Sequence, residues 1–231
     1  MKIAVIGASG LIGTQLVESL TKHGHETVAA SRSTGVDVLT GEGVAGALAG
    51  ADALVDVVNA PDFSDGPVMN FFTRSTANLT AAAKEAGVGH YVALSIVGCD
   101  GLPDSGYMRA KVAQEKIIAA SGLPYTLVRA TQFSEFTDGI TDSLVVGDEV
   151  RVPDALIQPI PAWKVVSVVA RAAAASPLNG YVNIGGPQKI SFEQMARESL
   201  ERRGENKTVV VDPQAKYFGT AVDDRSLVTP D

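Results

Sequence analysis

The chain opens on a short, nearly continuous apolar run, Lys2 to Ile6, and from Gly10 the apolar positions recur at helical spacing as far as Lys22. A run rich in branched residues suits a strand buried on both faces, and the change of period marks a strand followed directly by a helix. The alternation continues. The pattern predicts strands over residues 27–30, 37–38, 53–58, 90–95 and 125–128, and helices over 43–49, 68–86 and 106–120, with Gly87 as a glycine C-cap. Strands alternating with helices through short connections imply a parallel sheet covered on both faces, because each right-handed crossover lays its helix on one side. Beyond residue 138 the pattern loosens into strands at 157–160, 181–184 and 208–211, a helix from Ala162 and another over 192–203. Pieces this short bury no core alone, so they are expected to form a small lobe over the carboxyl edge of the sheet.

Gly7, Gly10 and Gly13 stand at the first strand-to-helix junction. Gly7 can take the sharp turn out of the strand, Gly10 lets a pyrophosphate approach the backbone, and Gly13 lets the helix lie close on the sheet. The start of the helix, with Leu11 and Ile12, offers unpaired N–H groups and a positive dipole end to phosphates, and Ser9 adds a hydroxyl. A glycine triplet also fits any tight turn, but this one follows a strand at the very start of the chain, which points to dinucleotide binding. Strand ends on this edge face such a ligand, which brings Val38, Asn59 and Ala60 into the expected site. The expected fold is therefore α/β, a Rossmann-type parallel sheet with helices on both faces and a small C-terminal substrate lobe. It is read as one NAD(P)-binding domain over residues 1–231, with 1–137 as the core and 138–231 mainly the lobe.

About twenty positions beyond such glycines an acidic residue would bind a ribose 2′-hydroxyl, whereas here the second strand ends in Ser31-Arg32-Ser33-Thr34. An arginine flanked by hydroxyls suits a 2′-phosphate, so NADP(H) is the expected cofactor and NAD(H) the alternative. A solvated arginine in a surface turn is the plainer reading.

The formal net charge of −7, with no Lys/Arg cluster to offset it, argues against a nucleic-acid partner. Cys99 is the only cysteine, which excludes an internal disulfide and a multi-cysteine metal site, suits a reducing compartment, and leaves a small buried hydrophobe as its expected role. His23, His25 and His90 have no acidic or cysteine cluster at ligand spacing, so no metal is expected. Asp212, Asp223, Asp224 and Asp231 read as solvated loop charge. No signal peptide precedes the first strand and no apolar run is long enough to cross a bilayer, so the expected location is cytoplasmic, away from membranes. The long helices over 68–86 and 106–120 offer faces for a homodimer.

Tyr107 and Lys111 lie four residues apart on a predicted helix and project from one face. A lysine cation beside a phenol lowers the pKa of the phenol and makes it a better acid or base near neutral pH. The alternative is a tyrosine at a core boundary beside a solvated lysine. Phe133 and Phe136 fit either a site wall or core contacts, and Trp163 either caps a substrate pocket or anchors the lobe.

The opening GASGLIG, the strand ending in Ser95, the Tyr107/Lys111 pair and LPYTLVRATQF together resemble the atypical short-chain dehydrogenase/reductases, NmrA-like members among them. The likeness runs over most of the chain and matches Asn78 to the family's structural asparagine. The resemblance implies that Tyr107 is the acid/base, that Lys111 binds the nicotinamide ribose and assists it, and that Thr131, Gln132 and Phe133 lie beside the nicotinamide, Phe133 also facing the substrate. The family's serine or threonine is out of register: Ser95 lies slightly early, and Ile96 and Val97 are apolar where the hydroxyl is usually found. Ser95 then contacts cofactor or satisfies the strand end, and Ile96 lines the substrate. The leading expectation is an NADP(H)-dependent oxidoreductase acting on a small hydrophobic carbonyl, enone or quinone. A dinucleotide-sensing regulatory protein without turnover stands second, and a sugar-nucleotide epimerase or dehydratase last.

Overall fold

In the computed structural model, which describes residues 1–230, the chain runs β1 (Lys2–Ile6), α1 (Leu11–Lys22), β2 (Glu26–Ala30), α2 (Val44–Leu48), β3 (Ala53–Asp56), α3 (Asp65–Glu85), β4 (His90–Ile96), α4 (Gly106–Ala120) and β5 (Tyr125–Ala130). It continues through α5 (Thr137–Ser143), β6 (Val145–Val146), β7 (Glu149–Val152), β8 (Leu156–Ile157), α6 (Ala162–Ala174), β9 (Gly180–Ile184), β10 (Ile190–Ser191), α7 (Phe192–Arg203) and β11 (Thr208–Val211). The main sheet is parallel throughout, in the order β2-β1-β3-β4-β5-β9. The order in which successive strands are added reverses between β1 and β3, and the carboxyl ends of those strands open the crevice in which this class of sheet binds its ligands.

Alternate residues of each strand serve opposite faces. Ile3, Val5, Val55, Val92 and Val128 meet α1 and α6 through Ile12, Leu16, Val165 and Val169. Ala4, Ile6, Leu54, Tyr91 and Leu127 meet the other side, with Phe72 and Leu79 of α3 and Ile118 of α4. Strands buried on both faces explain why the sequence runs are continuously apolar rather than alternating.

Two expectations need correction. Residues 37–38 form a loop, not a strand: the Asp37 carboxylate accepts from the Leu39 amide at 2.7 Å, and the Val38 carbonyl accepts from Asn78 Nδ2 at 2.9 Å. Second, α6 and β9 do not belong to the lobe. β9 extends the main sheet beside β5, and α6 packs with α1 on its face. The lobe proper gathers α5, β6 to β8, β10, α7 and β11 around Ile140, Val150, Val152, Phe192 and Leu227. Of the predicted strand at 157–160 only Ile157 is in a strand, and Ile160 instead bridges to Phe133 beyond β5. Asp212 pairs with Arg151 and Asp223 binds the Ser226 hydroxyl at 2.7 Å, while Asp231 lies outside the described residues. Among the described residues no helix is long and apolar enough to cross a membrane.

A buried polar layer joins the sheet to α4. Asp56, at the end of β3, accepts from the Tyr91 hydroxyl at 2.9 Å, Gln114 Nε2 at 3.0 Å and the Val58 amide at 3.2 Å. The Lys111 ammonium donates to the Leu94 carbonyl at 2.9 Å and to Gln114 Oε1, and stands 4.5 Å over the Phe72 ring. Both ionisable groups are almost inaccessible, Asp56 at 1% and Lys111 at 3% exposure. Burial pulls Lys111 down to about 8 against the pull of Asp56, and burial raises Asp56 against the nearby ammonium.

Asp56→Asn should lower unfolding free energy by about 3 kcal/mol, because it leaves a buried ammonium without a countercharge. Asp56→Asn/Lys111→Met should recover most of that loss, and urea unfolding of both variants checks it; equal losses would show that the two side chains are not a pair. The pH dependence has a fixed sign. Lys111 titrates at about 8 in the fold, whereas a free lysine titrates at about 10.4, so between those values the unfolded chain binds more protons and stability rises with pH. Urea midpoints compared with Lys111→Met should therefore shift in favour of the unaltered protein as pH rises across that interval.

Candidate functional site

The first glycine turn is built by steric exclusion. Gly7 sits at φ +93°, where a Cβ would also lie 3.0 Å from the Val57 carbonyl, and the Gly7 and Ala8 amides donate to the Ala30 carbonyl at 2.9 and 3.0 Å. At Gly13 a Cβ would come within 2.1 Å of the Gly7 carbonyl oxygen, so only glycine lets α1 pack against the turn. Gly10 differs: its nearest neighbour to an added Cβ is 3.4 Å away, and the fold itself does not demand glycine there. What its bareness keeps open is the space before α1.

That space suits a pyrophosphate. The amides of Ser9, Leu11, Ile12 and Gly13 donate to no acceptor among the described residues, and the first turn of α1 carries no acidic residue. Uncapped N–H groups at the positive end of a helix dipole are an anion site. Two residues past Ala30, the exposed Arg32 lies in a single turn with Ser31 and Ser33, whose hydroxyls are 2.8 Å apart. Val38 is buried behind this turn, held by Asn78. Across the crevice, Asn59 and Ala60 follow β3, with Asn59 Oδ1 accepting from the Ala60 amide at 3.0 Å.

The Tyr107 hydroxyl donates to that same Asn59 oxygen at 2.9 Å. Ser105 caps α4 by accepting from the Met108 amide, so Tyr107 leaves the first turn of the helix at the carboxyl edge of the sheet. Its ring stands edge-on to Phe63 at 5.2 Å and Phe72 at 5.9 Å. Burial pushes its phenol up to about 12, with the Asn59 hydrogen bond opposing. The expected depression by Lys111 is not found. Lys111 shares Phe72 with Tyr107 but turns inward to Leu94, Gln114 and Asp56.

The other expected residues are placed as follows. Ser95 is buried beside the Cys99 thiol, opposite Arg129 in the strand register, and its Oγ makes no hydrogen bond among the described residues. Cys99 is itself buried, which raises its thiol to about 11. Thr131 is buried and bonds the Gln158 carbonyl. Trp163 is 61% exposed on the first turn of α6, with the Lys164 ammonium over its ring, so it does not anchor the lobe. Phe133 is partly buried and stacks on the exposed Phe136 at 5.6 Å. Ile96 packs in the same apolar cluster as Tyr107.

Gln132 stays available. Its amide faces the Tyr217 hydroxyl, and its Oε1 is buried with no hydrogen-bond partner. An unpaired buried acceptor is costly unless a ligand satisfies it, and the carboxamide of a nicotinamide is a donor of the right kind. Together with the bare start of α1, this orphan oxygen fits a dinucleotide lying across the carboxyl ends of β1, β3 and β5.

Sequence reasoning missed Tyr217, Phe63 and the Asp56–Gln114 pair. The only local signal for Tyr217 was the Phe218-Gly219 step just after it; for the others, buried polarity appears in no periodicity.

Residues 32–175 match a family described as NAD(P)H-binding. The match begins after the glycine turn, so that turn is assigned on geometry alone. Among curated relatives, the chain is 26% identical over 149 residues to the photosystem II assembly factor Ycf39 of Synechocystis sp., covering 58% of this chain and 46% of that one. It is 29% identical over 163 residues to the isoflavone reductase homolog A622 of Nicotiana tabacum, covering 58% and 49%. The chain thus spans about half the length of these relatives. Among solved structures, the NADPH-dependent quinone oxidoreductase QOR2 of Escherichia coli, complexed with NADPH, superposes with a TM-score of 0.70 at 21% identity, over 92% of this chain and 78% of that one. At that identity the likeness speaks for the fold. The chain belongs to the NAD(P)H-binding family.

Proposed function

We propose that the protein is an NADPH-dependent reductase of a small hydrophobic carbonyl, enone or quinone, with Tyr107 as the proton donor. The observation that carries this reading is the Tyr107 hydroxyl, held by Asn59 at 2.9 Å on the opposite side of the crevice from the uncapped start of α1. Leu11, Ile12 and Gly13 would hold the pyrophosphate, Arg32 with Ser31 and Ser33 the 2′-phosphate, and Gln132 the carboxamide. A bound NADPH would supply the hydride. Tyr107 would give its proton to the acceptor oxygen, and solvent would return a proton to the phenolate.

With its phenol pushed up to about 12, Tyr107 keeps its proton at physiological pH, the state that reduction requires, but releases it less readily than an ordinary phenol. It also favours acceptors whose reduced oxygen is already stabilised, as in a hydroquinone, since Lys111 is not placed to support a phenolate. The buried Ser95 and inward Lys111 favour a second reading, a dinucleotide-binding regulator without turnover. The similarity to an assembly factor is compatible with it.

NADPH consumption should be measured against quinones, enones and carbonyls. Tyr107→Phe is expected to lower kcat by about a hundredfold on carbonyls, the usual worth of a general acid, and less on quinones. Consumption by no acceptor, despite saturable NADPH binding, would select the regulator. Arg32→Ala should raise the Kd for NADPH by about tenfold, as loss of one charge-assisted phosphate contact does, and leave that for NADH unchanged; equal effects on both would assign Arg32 to the solvent.

A further inference from the structure

Tyr217 reaches the crevice from the lobe through a two-residue turn that exacts strain. Tyr217 and Thr220 exchange backbone hydrogen bonds at 2.9 and 3.0 Å, which leaves Phe218 at φ +43° and Gly219 at φ +83° between them. Turns with two positive φ angles call for Asn, Asp or Gly first, and a phenylalanine there is strained. Burial does not offset the strain, for Phe218 is 58% exposed. Its ring stands edge-on to Tyr217 at 4.8 Å and 72°.

The other side of the crevice repeats this arrangement. Phe63, 57% exposed, stands edge-on to Tyr107 at 5.2 Å and 76°. Tyr217 is seated against Phe192 at 5.9 Å, with its hydroxyl near both Tyr107 and the Gln132 amide. Asn59 acts on the Tyr107 hydroxyl, and Gln132 and Tyr107 act on that of Tyr217, so no charged side chain engages either one. Two neutral O–H donors between two exposed aromatic walls suit an uncharged, flat, aromatic molecule with a carbonyl oxygen.

We propose that Tyr217, Phe218 and Phe63 form the substrate clasp: Phe63 and Phe218 flank a planar aromatic acceptor of quinone or aryl-enone type, and Tyr217 gives its oxygen a second hydrogen bond beside Tyr107. The chemical step after binding rests on the reductase reading, but the clasp itself is testable without turnover. Tyr217 thereby stands in the role of the hydroxyl that Ile96 and Val97 do not supply.

Duroquinone, a fully methylated benzoquinone that cannot add a thiol, serves as the probe. Its binding in the presence of NADP⁺ is measured by equilibrium dialysis, alongside Tm, NADP⁺ affinity, and KM with NADPH for duroquinone and for the aliphatic cyclohexenone. Phe218→Gly is expected to raise Tm, since glycine adopts positive φ freely, while weakening duroquinone binding about tenfold and sparing NADP⁺. Phe63→Ala should weaken duroquinone binding similarly, and Tyr217→Phe about fivefold, the worth of one neutral hydrogen bond. The KM for cyclohexenone should hardly move in the phenylalanine variants. Unchanged duroquinone binding in Phe218→Gly and Phe63→Ala, or no binding by the unaltered protein, overturns the clasp and leaves the reductase to its own test. Binding that weakens as expected without any NADPH consumption upholds the clasp and overturns the reductase.

Discussion

A buried ammonium must have oxygen partners, and the placement of α4 depends on that requirement. Lys111 meets it with the Leu94 carbonyl, Gln114 Oε1 and the charge of Asp56, so that β3, β4 and α4 are joined at one point. Gln114 serves both ions, accepting from the ammonium and donating to the carboxylate at 3.0 Å. With that face of the helix fixed, Tyr107, one turn earlier, can only emerge at the carboxyl edge, where Asn59 receives its hydroxyl. Lys111 is in this sense a positioning residue. The pair at four-residue spacing that reads as two groups sharing one ligand is instead one group in the crevice and one beneath it.

A second ion cluster has the same plan. Arg129 donates to Glu115 through Nε at 2.9 Å and through the terminal nitrogen at 2.6 Å, pairs with Asp100 at 3.2 Å, and stacks over Tyr181 at 4.1 Å. It too lies between the sheet and α4. The interior charges near the site are therefore matched under the helix, and the part of the crevice around Tyr107 and Tyr217 is lined by phenols, amides and aromatic rings. Unmatched charge in a crevice would focus counter-ions; a neutral lining selects by shape and by hydrogen bonds instead.

The architecture was legible because burial on both faces writes itself into the sequence as continuous apolar runs. α4, α7 and β11 fall where the pattern places them, and the glycine turn is recognisable because Gly7 and Gly13 are steric necessities. Layer assignment was not legible. Nothing in the period of residues 162–184 tells whether they cover the lobe or return to the main sheet, since an apolar face fits either. The site was half legible: Tyr107 and Asn59 could be named from spacing and a strand end, and Gln132 from the family resemblance, but the inward turn of Lys111 depends on Asp56 and Gln114, which lie far apart along the chain. Tyr217 was invisible for a related reason, because what brings it to the crevice is a turn whose first residue breaks the rule for such turns.

The three glycines separate scaffold from site more sharply than their common motif suggests. Gly13 would collide with the Gly7 oxygen at 2.1 Å if it bore a Cβ, and Gly7 is bound by its positive φ. Both are needed to fold this turn, whatever binds there. Gly10 has only a 3.4 Å neighbour and an ordinary φ of −82°, so an alanine would fold equally well. A residue that the fold does not require, standing among four amides without an acceptor, is explained by what must come close to it from outside. The same reasoning applies across the crevice, where neither an orphan oxygen on Gln132 nor a strained and exposed Phe218 stabilises the chain by itself. Strain and unpaired polarity persist at sites where binding offsets them, and these two meet at Tyr217, which the Gln132 amide and the Phe218 ring both face.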